Sequence, residues 1–181
     1  MSKEPLCIKI FKMYPDVPDL AFATEESACF DLRAYLKPDT KLQSWSNNNT
    51  EKYKFTKVPL FGPNKGKAYV EIYPGERVFI PTGIKFDIPK GFSVRIHPRS
   101  SVAIKRGLSN PNYEGVIDSD YFKECHIVLE NNSNIIEVIY DGDRVFQAEM
   151  VPVLKYKLAV TTEEPEQRTN RVGGFGSTGV N

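Results

Sequence analysis

At 181 residues the chain fits one domain with a sizeable core, and a composition of 40% hydrophobic and 26% charged residues is that of a globular protein. The 24 Lys and Arg against 23 Asp and Glu leave a net charge of +1, too little field to hold bulk nucleic acid or an anionic membrane. No run free of Asp, Glu, Lys and Arg exceeds ten residues, which excludes a transmembrane helix, and the N-terminus lacks the apolar segment of a signal peptide.

The 13 prolines and 12 glycines cut the chain into short pieces. In chain order, segments rich in β-branched and aromatic residues predict strands over 8–13, 68–73, 77–80, 83–88, 92–97, 126–129, 135–140 and 144–153. Several alternate with period two; Val70 and Ile72 face inward in Tyr69-Val70-Glu71-Ile72-Tyr73. Turn signals separate them at Pro74-Gly75, Thr82-Gly83, Pro89-Lys90-Gly91 and Asp141-Gly142. One short helix is expected over 101–106. The pattern predicts an all-β sandwich or barrel.

Two segments stand apart. Residues 38–67 are polar, carry the lone Trp45, and read as an insertion. From Thr161 the chain turns charged and then glycine-rich, so 1–160 reads as the domain and 161–181 as a flexible C-terminal arm. Cys7, Cys29 and Cys125 form no C-x-x-C pair and read as reduced thiols of a cytoplasmic protein.

Five short stretches carry more chemistry than strands and turns require. Ala28-Cys29-Phe30-Asp31-Leu32-Arg33-Ala34 sets charges in an apolar run; taken alone, Asp31 reads as a turn or solvated residue. Pro98-Arg99-Ser100-Ser101 opens the helical segment, where serine usually caps but an adjacent Arg also suits phosphate. Asn112 to Tyr121 places two carboxylates and two tyrosines around a hairpin, although Asp-Ser-Asp is also ordinary turn chemistry. Gly142-Asp143-Arg144-Val145-Phe146-Gln147 begins a strand with polar residues. Arg171 to Gly179 joins an Arg and a lone Phe to a glycine backbone free to wrap an anion.

In this order, the five stretches resemble the five motifs of the trimeric dUTPase family, with P-R-S-S, G-V-I-D-S-D-Y and G-G-F-G-S-T-G the specific ones. The resemblance implies a jelly-roll-like β-barrel or sandwich of the dUTPase type with one short helix, assembled as a homotrimer with shared active sites. It implies hydrolysis of dUTP to dUMP and pyrophosphate with Mg²⁺, removing dUTP and supplying dUMP for dTMP synthesis. Asp118 matches the general base that activates water against the α-phosphorus. Asn112, Val116 and Ile117 match the segment that reads the uracil edge; His126 lies where the family completes that pocket. Tyr121 matches the tyrosine that packs on the deoxyribose. Arg99, Ser100, Ser101 and Gln147 match phosphate contacts, and Asp31 matches a carboxylate that reaches Mg²⁺ through water. Arg171 matches an arginine-finger-like contact, while Phe175, Gly176 and Ser177 match the tail that closes on the substrate.

The chain departs from the family pattern at Cys29-Phe30 and at Phe122-Lys123. Because Lys123 does not readily take a positive φ, the hairpin is expected to turn differently there. All five stretches are complete without residues 38–67, so the insertion is expected to lie outside the catalytic machinery, where a protein partner could use it. Two other readings remain. A dCTP deaminase shares the fold and needs a carboxylate beside the ring, but Glu130 falls too late and Ile127 stands near the expected place. A regulator on the same scaffold would bind another protein through 38–67.

Overall fold

The computed structural model describes residues 6–170. The strands are β1 (Lys9–Lys12), β2 (Phe30–Arg33), β3 (Lys41–Trp45), β4 (Glu51–Phe55), β5 (Tyr69–Ile72), β6 (Arg77–Pro81), β7 (Ile84–Asp87) and β8 (Phe92–Pro98). Helix α1 (Ser100–Arg106) follows, then β9 (Leu108–Ser109), β10 (Gly115–Asp118), β11 (His126–Asn131), β12 (Glu137–Tyr140) and β13 (Arg144–Pro152). The all-β class holds, with one short helix among the described residues. No helix is long and apolar enough to cross a membrane.

The strands form a four-stranded sheet in the order β10-β8-β13-β2, a five-stranded sheet in the order β4-β3-β6-β11-β9, and the pairs β1-β7 and β12-β5. None of these orders closes into a ring, so the architecture is a sandwich rather than a closed barrel among the described residues. Alternation puts Leu32, Val94, Ile96, Phe146 and Ala148 of the smaller sheet inside with Leu42, Val78, Ile80, Ile127 and Leu129 of the larger. All belong to one buried cluster. The hydrophobic effect explains why the short strands hold: none buries more than three side chains, but the shared core removes them all from water together.

β2 has the burial pattern of a strand, with Phe30 and Leu32 inward and Asp31 and Arg33 outward, although its charges hid it in the sequence. The helix ends where Gly107 adopts φ 64° and returns its N–H to Ala103. A Cβ there would stand 3.1 Å from that of Ser133, so both conformation and space favour glycine.

Residues 38–67 are not a loose excursion. β3 and β4 pair from Lys41↔Phe55 to Trp45↔Glu51, and β3 joins β6 through Ser44↔Val78 and Trp45↔Arg77. Buried Leu42 anchors this hairpin in the core. The segment extends a sheet because its inward residues, Leu42 and Ser44, match the pleat of β6.

Candidate active site

A cavity of about 610 Å³ opens between β10 and the outer surface of the five-stranded sheet. Asn112, Val116, Ile117, Tyr121 and His126 all line it, so the structure brings together the residues matched to base and sugar recognition. Its floor is apolar, with Ile96, Phe146 and Ile127. Cys125 also lines it, but burial pushes this thiol up to about 12, so it is no nucleophile at neutral pH.

The expected hairpin is corrected in one respect. β10 pairs with β8, from Gly115↔Ile96 to Asp118↔Ser93, whereas β11 pairs with β6 and β9. The two arms therefore belong to different sheets. The crossing is held by Tyr121 N–H to Asp118 O (3.1 Å) and by the Tyr121 hydroxyl donating to Glu124 O (3.3 Å). Lys123 is not among the residues with positive φ. This crossing leaves β10 as a sheet edge. An edge strand has backbone N–H and C=O groups unpaired by its own sheet, in fixed alternation, which suits reading the edge of a planar base. Asp118 is exposed at the end of this strand, next to the lining residue Ile117.

His126 sits 3.2 Å from Glu124 O through Nδ1, and Glu124 in turn accepts from Gly83 N–H (2.8 Å). Glycine is needed at this contact: Gly83 has φ 70°, and a Cβ would lie 2.6 Å from Val17 Cγ2. The pocket rim is thus tied to a rigid turn.

A second group forms at the far end of the four-stranded sheet. Asp31 Oδ1 receives Arg99 Nε at 3.0 Å, and Asp31 Oδ2 receives Arg144 Nη1 at 3.0 Å. Gln147 lies opposite Asp31 on one side and His97 on the other. Ser100 and Ser101 are exposed, and no side chain caps the helix, so their hydroxyls are not used as caps. Arg144 carries no role in the sequence pattern; its place directly after Gly142-Asp143 in a polar strand start was the available signal.

The two groups do not meet within one chain. Asp118 pairs with Ser93 and Gln147 with His97, both on the same face of the sheet. Four residues along β8 and two strand spacings across separate them by about 16 Å between backbones. The face between carries Arg95 bonded to Glu114 at 3.0 Å and His97 at 3.5 Å from Glu149. Arg171, Phe175, Gly176 and Ser177 lie outside the described residues.

The inserted segment reaches this cavity. Gln43 of β3 lines it, because the hairpin extends the sheet whose outer surface forms one wall. Glu130 is not among the lining residues; it pairs with Arg77 and Ser109 farther along β11, so the deaminase reading lacks its carboxylate.

The family model described as dUTPase matches residues 65–179. A deoxyuridine 5′-triphosphate nucleotidohydrolase from Dinoroseobacter shibae is 35% identical over 163 residues, covering 90% of this chain and 88% of the relative. The chain belongs to the dUTPase family. Among solved structures, a dUTPase of Staphylococcus bacteriophage 80alpha superposes with a TM-score of 0.66 at 18% identity, covering 96% of this chain and 99% of that one. The dUTPase from Streptococcus mutans gives 0.61 at 23%, covering 83% and 98%. These two likenesses concern the fold.

Among the described residues no group of three or more His, Cys, Asp and Glu could hold a metal ion. Asp31 fits an outer role only. A single carboxylate that already accepts from two guanidinium groups has lone pairs left for a water, not a cage for a divalent cation.

Proposed function

We propose that this chain hydrolyses dUTP to dUMP and pyrophosphate. The observation that carries the reading is the cavity with the free edge of β10 along one side and Asp118 at its end. Its size suits a nucleoside, and its apolar floor suits a planar ring. Val116 and Ile117 present backbone groups to the uracil edge, with Asn112 and His126 completing the rim. Tyr121 packs on the sugar and leaves no room for a 2′-hydroxyl.

Asp118 accepts a proton from water as the water oxygen bonds the α-phosphorus. The bond from that phosphorus to the bridging oxygen breaks, and pyrophosphate leaves with the electron pair. Arg99, Ser100, Ser101 and Gln147 hold the triphosphate. Mg²⁺, carried on the substrate phosphates, would supply positive charge for the leaving group, and Asp31 would hold it only through a water. Arg171 adds charge at the γ-phosphate, and Phe175, Gly176 and Ser177 close over the nucleotide as part of an arm spanning 161–181.

The separation of about 16 Å between Asp118 and Gln147 supports a site shared between copies, since a triphosphate must reach both groups. We read the assembly as a homotrimer built from the 1–160 domain. The three unpaired thiols fit a cytoplasmic enzyme whose product is available for dTMP synthesis. Pyrophosphate release measured across dUTP, dCTP, dTTP and UTP tests the reading. Hydrolysis of dUTP with little of the others is expected; no preference for dUTP overturns it.

A further inference from the structure

A second cavity of about 500 Å³ adjoins the first, and the two share Gln43, Phe79 and His126. These three residues are the partition between them. Phe79 lies opposite Val128 on β11, and the β3–β6 register carries Gln43 into the same row. The inserted hairpin also braces the partition on both sides. Gln43 Nε2 donates to Glu51 Oε1 across the hairpin at 2.7 Å, and Trp45 meets Phe79 with ring centroids 5.0 Å apart at 61°. A free glutamine would be a poor wall, because it could swing aside among its rotamers; the bond to Glu51 restrains it.

The neighbouring cavity is not itself shaped for an anion. Lys37 is committed to Asp16 at 2.6 Å, and Lys41 lies over the Tyr53 ring at 3.7 Å. Its relevance is as space that the partition denies to a ligand in the base cavity.

We propose that Gln43, held by Glu51, is a specificity-determining residue that limits the size of the pyrimidine the base cavity accepts. The inference rests on the reading of that cavity as the dUTP site. The ligand class it excludes is a uracil nucleotide with a bulky ring substituent. Shortening Gln43 joins the two cavities and admits such a base, whereas a side chain of similar length without the bond to Glu51 separates them only in part.

The test uses the full chain and compares kcat/KM for 5-propynyl-dUTP with that for dUTP. In Gln43→Ala the ratio is expected to rise about tenfold or more, the scale at which a pocket discriminates by a small apolar group. Glu51→Ala should move the ratio the same way by less, and Gln43→Met, which keeps the volume but loses the bond to Glu51, should match Glu51→Ala rather than Gln43→Ala. A merely structural role would change stability and leave the ratio alone. An unchanged ratio in Gln43→Ala, or in Glu51→Ala should the first variant not fold, overturns the inference while dUTP is still hydrolysed. If the native chain hydrolyses no dUTP, the functional reading fails first and this inference falls with it.

Discussion

The cavity beside β10 and the charged group at Asp31 share the four-stranded sheet but are built by different means. The cavity has an apolar floor, a strand edge and a polar rim, so its shape exists before any ligand arrives. The charged group is closed on itself: Arg99 and Arg144 both direct their charge at Asp31. Desolvated shape can discriminate among bases without moving, whereas exposed guanidinium groups need a partner charge to hold their direction. Asp31 holds the two arginines together and keeps them from repelling one another. If the proposed roles hold, selectivity and phosphate affinity are separable in this fold, and substitutions should reveal the division.

The largest effect is expected at Asp118, the proposed general base. Asp118→Asn should lower kcat on the order of 10²-fold or more while dUTP affinity stays near native. Single-turnover kinetics with parallel equilibrium binding would show this, and near-native turnover in the variant would remove Asp118 from its role.

A smaller effect is expected from the charged group. Arg144→Ala should weaken dUTP affinity about tenfold without altering the preference for dUTP over UTP, a loss on the order of 1.4 kcal/mol. Tyr121→Ala should do the reverse, relaxing that preference by about tenfold while leaving the salt dependence of binding unchanged. Titrations with both nucleotides at two ionic strengths distinguish them. If both variants change selectivity and affinity alike, the division between the two regions does not hold.

The smallest effect concerns the cavity floor. Burial raises the Cys125 thiol from 9.0 to about 12, so between those values the unfolded chain releases a proton that the folded chain keeps. Stability is thus intact below pH 9 and declines as pH rises through that window. In Cys125→Ala the decline should be shallower than in the native chain, measured by urea unfolding at about pH 8, 9 and 10. Parallel curves would show that Cys125 contributes nothing to it.

Much of the fold could be read locally. Period-two alternation marked strands such as β5, β6 and β13 near their observed bounds, and the run from Ser101 to Arg106 marked the helix. β2 escaped because four residues with two charges make too short a pattern to stand out, and β3 and β4 escaped because polar outward positions masked Leu42. The motif residues were legible as well, since chemistry at fixed spacing survives in a one-dimensional string.

The sequence by itself carried the all-β class and the resemblance to the family, and that resemblance pointed to the candidate base, Asp118. Only the tertiary structure decided that β10 and β11 part into different sheets, that Arg144 shares Asp31 with Arg99, and that Gln43 walls the cavity. The physical reason is that alternation records which face of a strand meets the core, a local property of each side chain. Which strand lies alongside is settled by the packing of a core drawn from the whole chain, and the walls of a cavity follow from that choice.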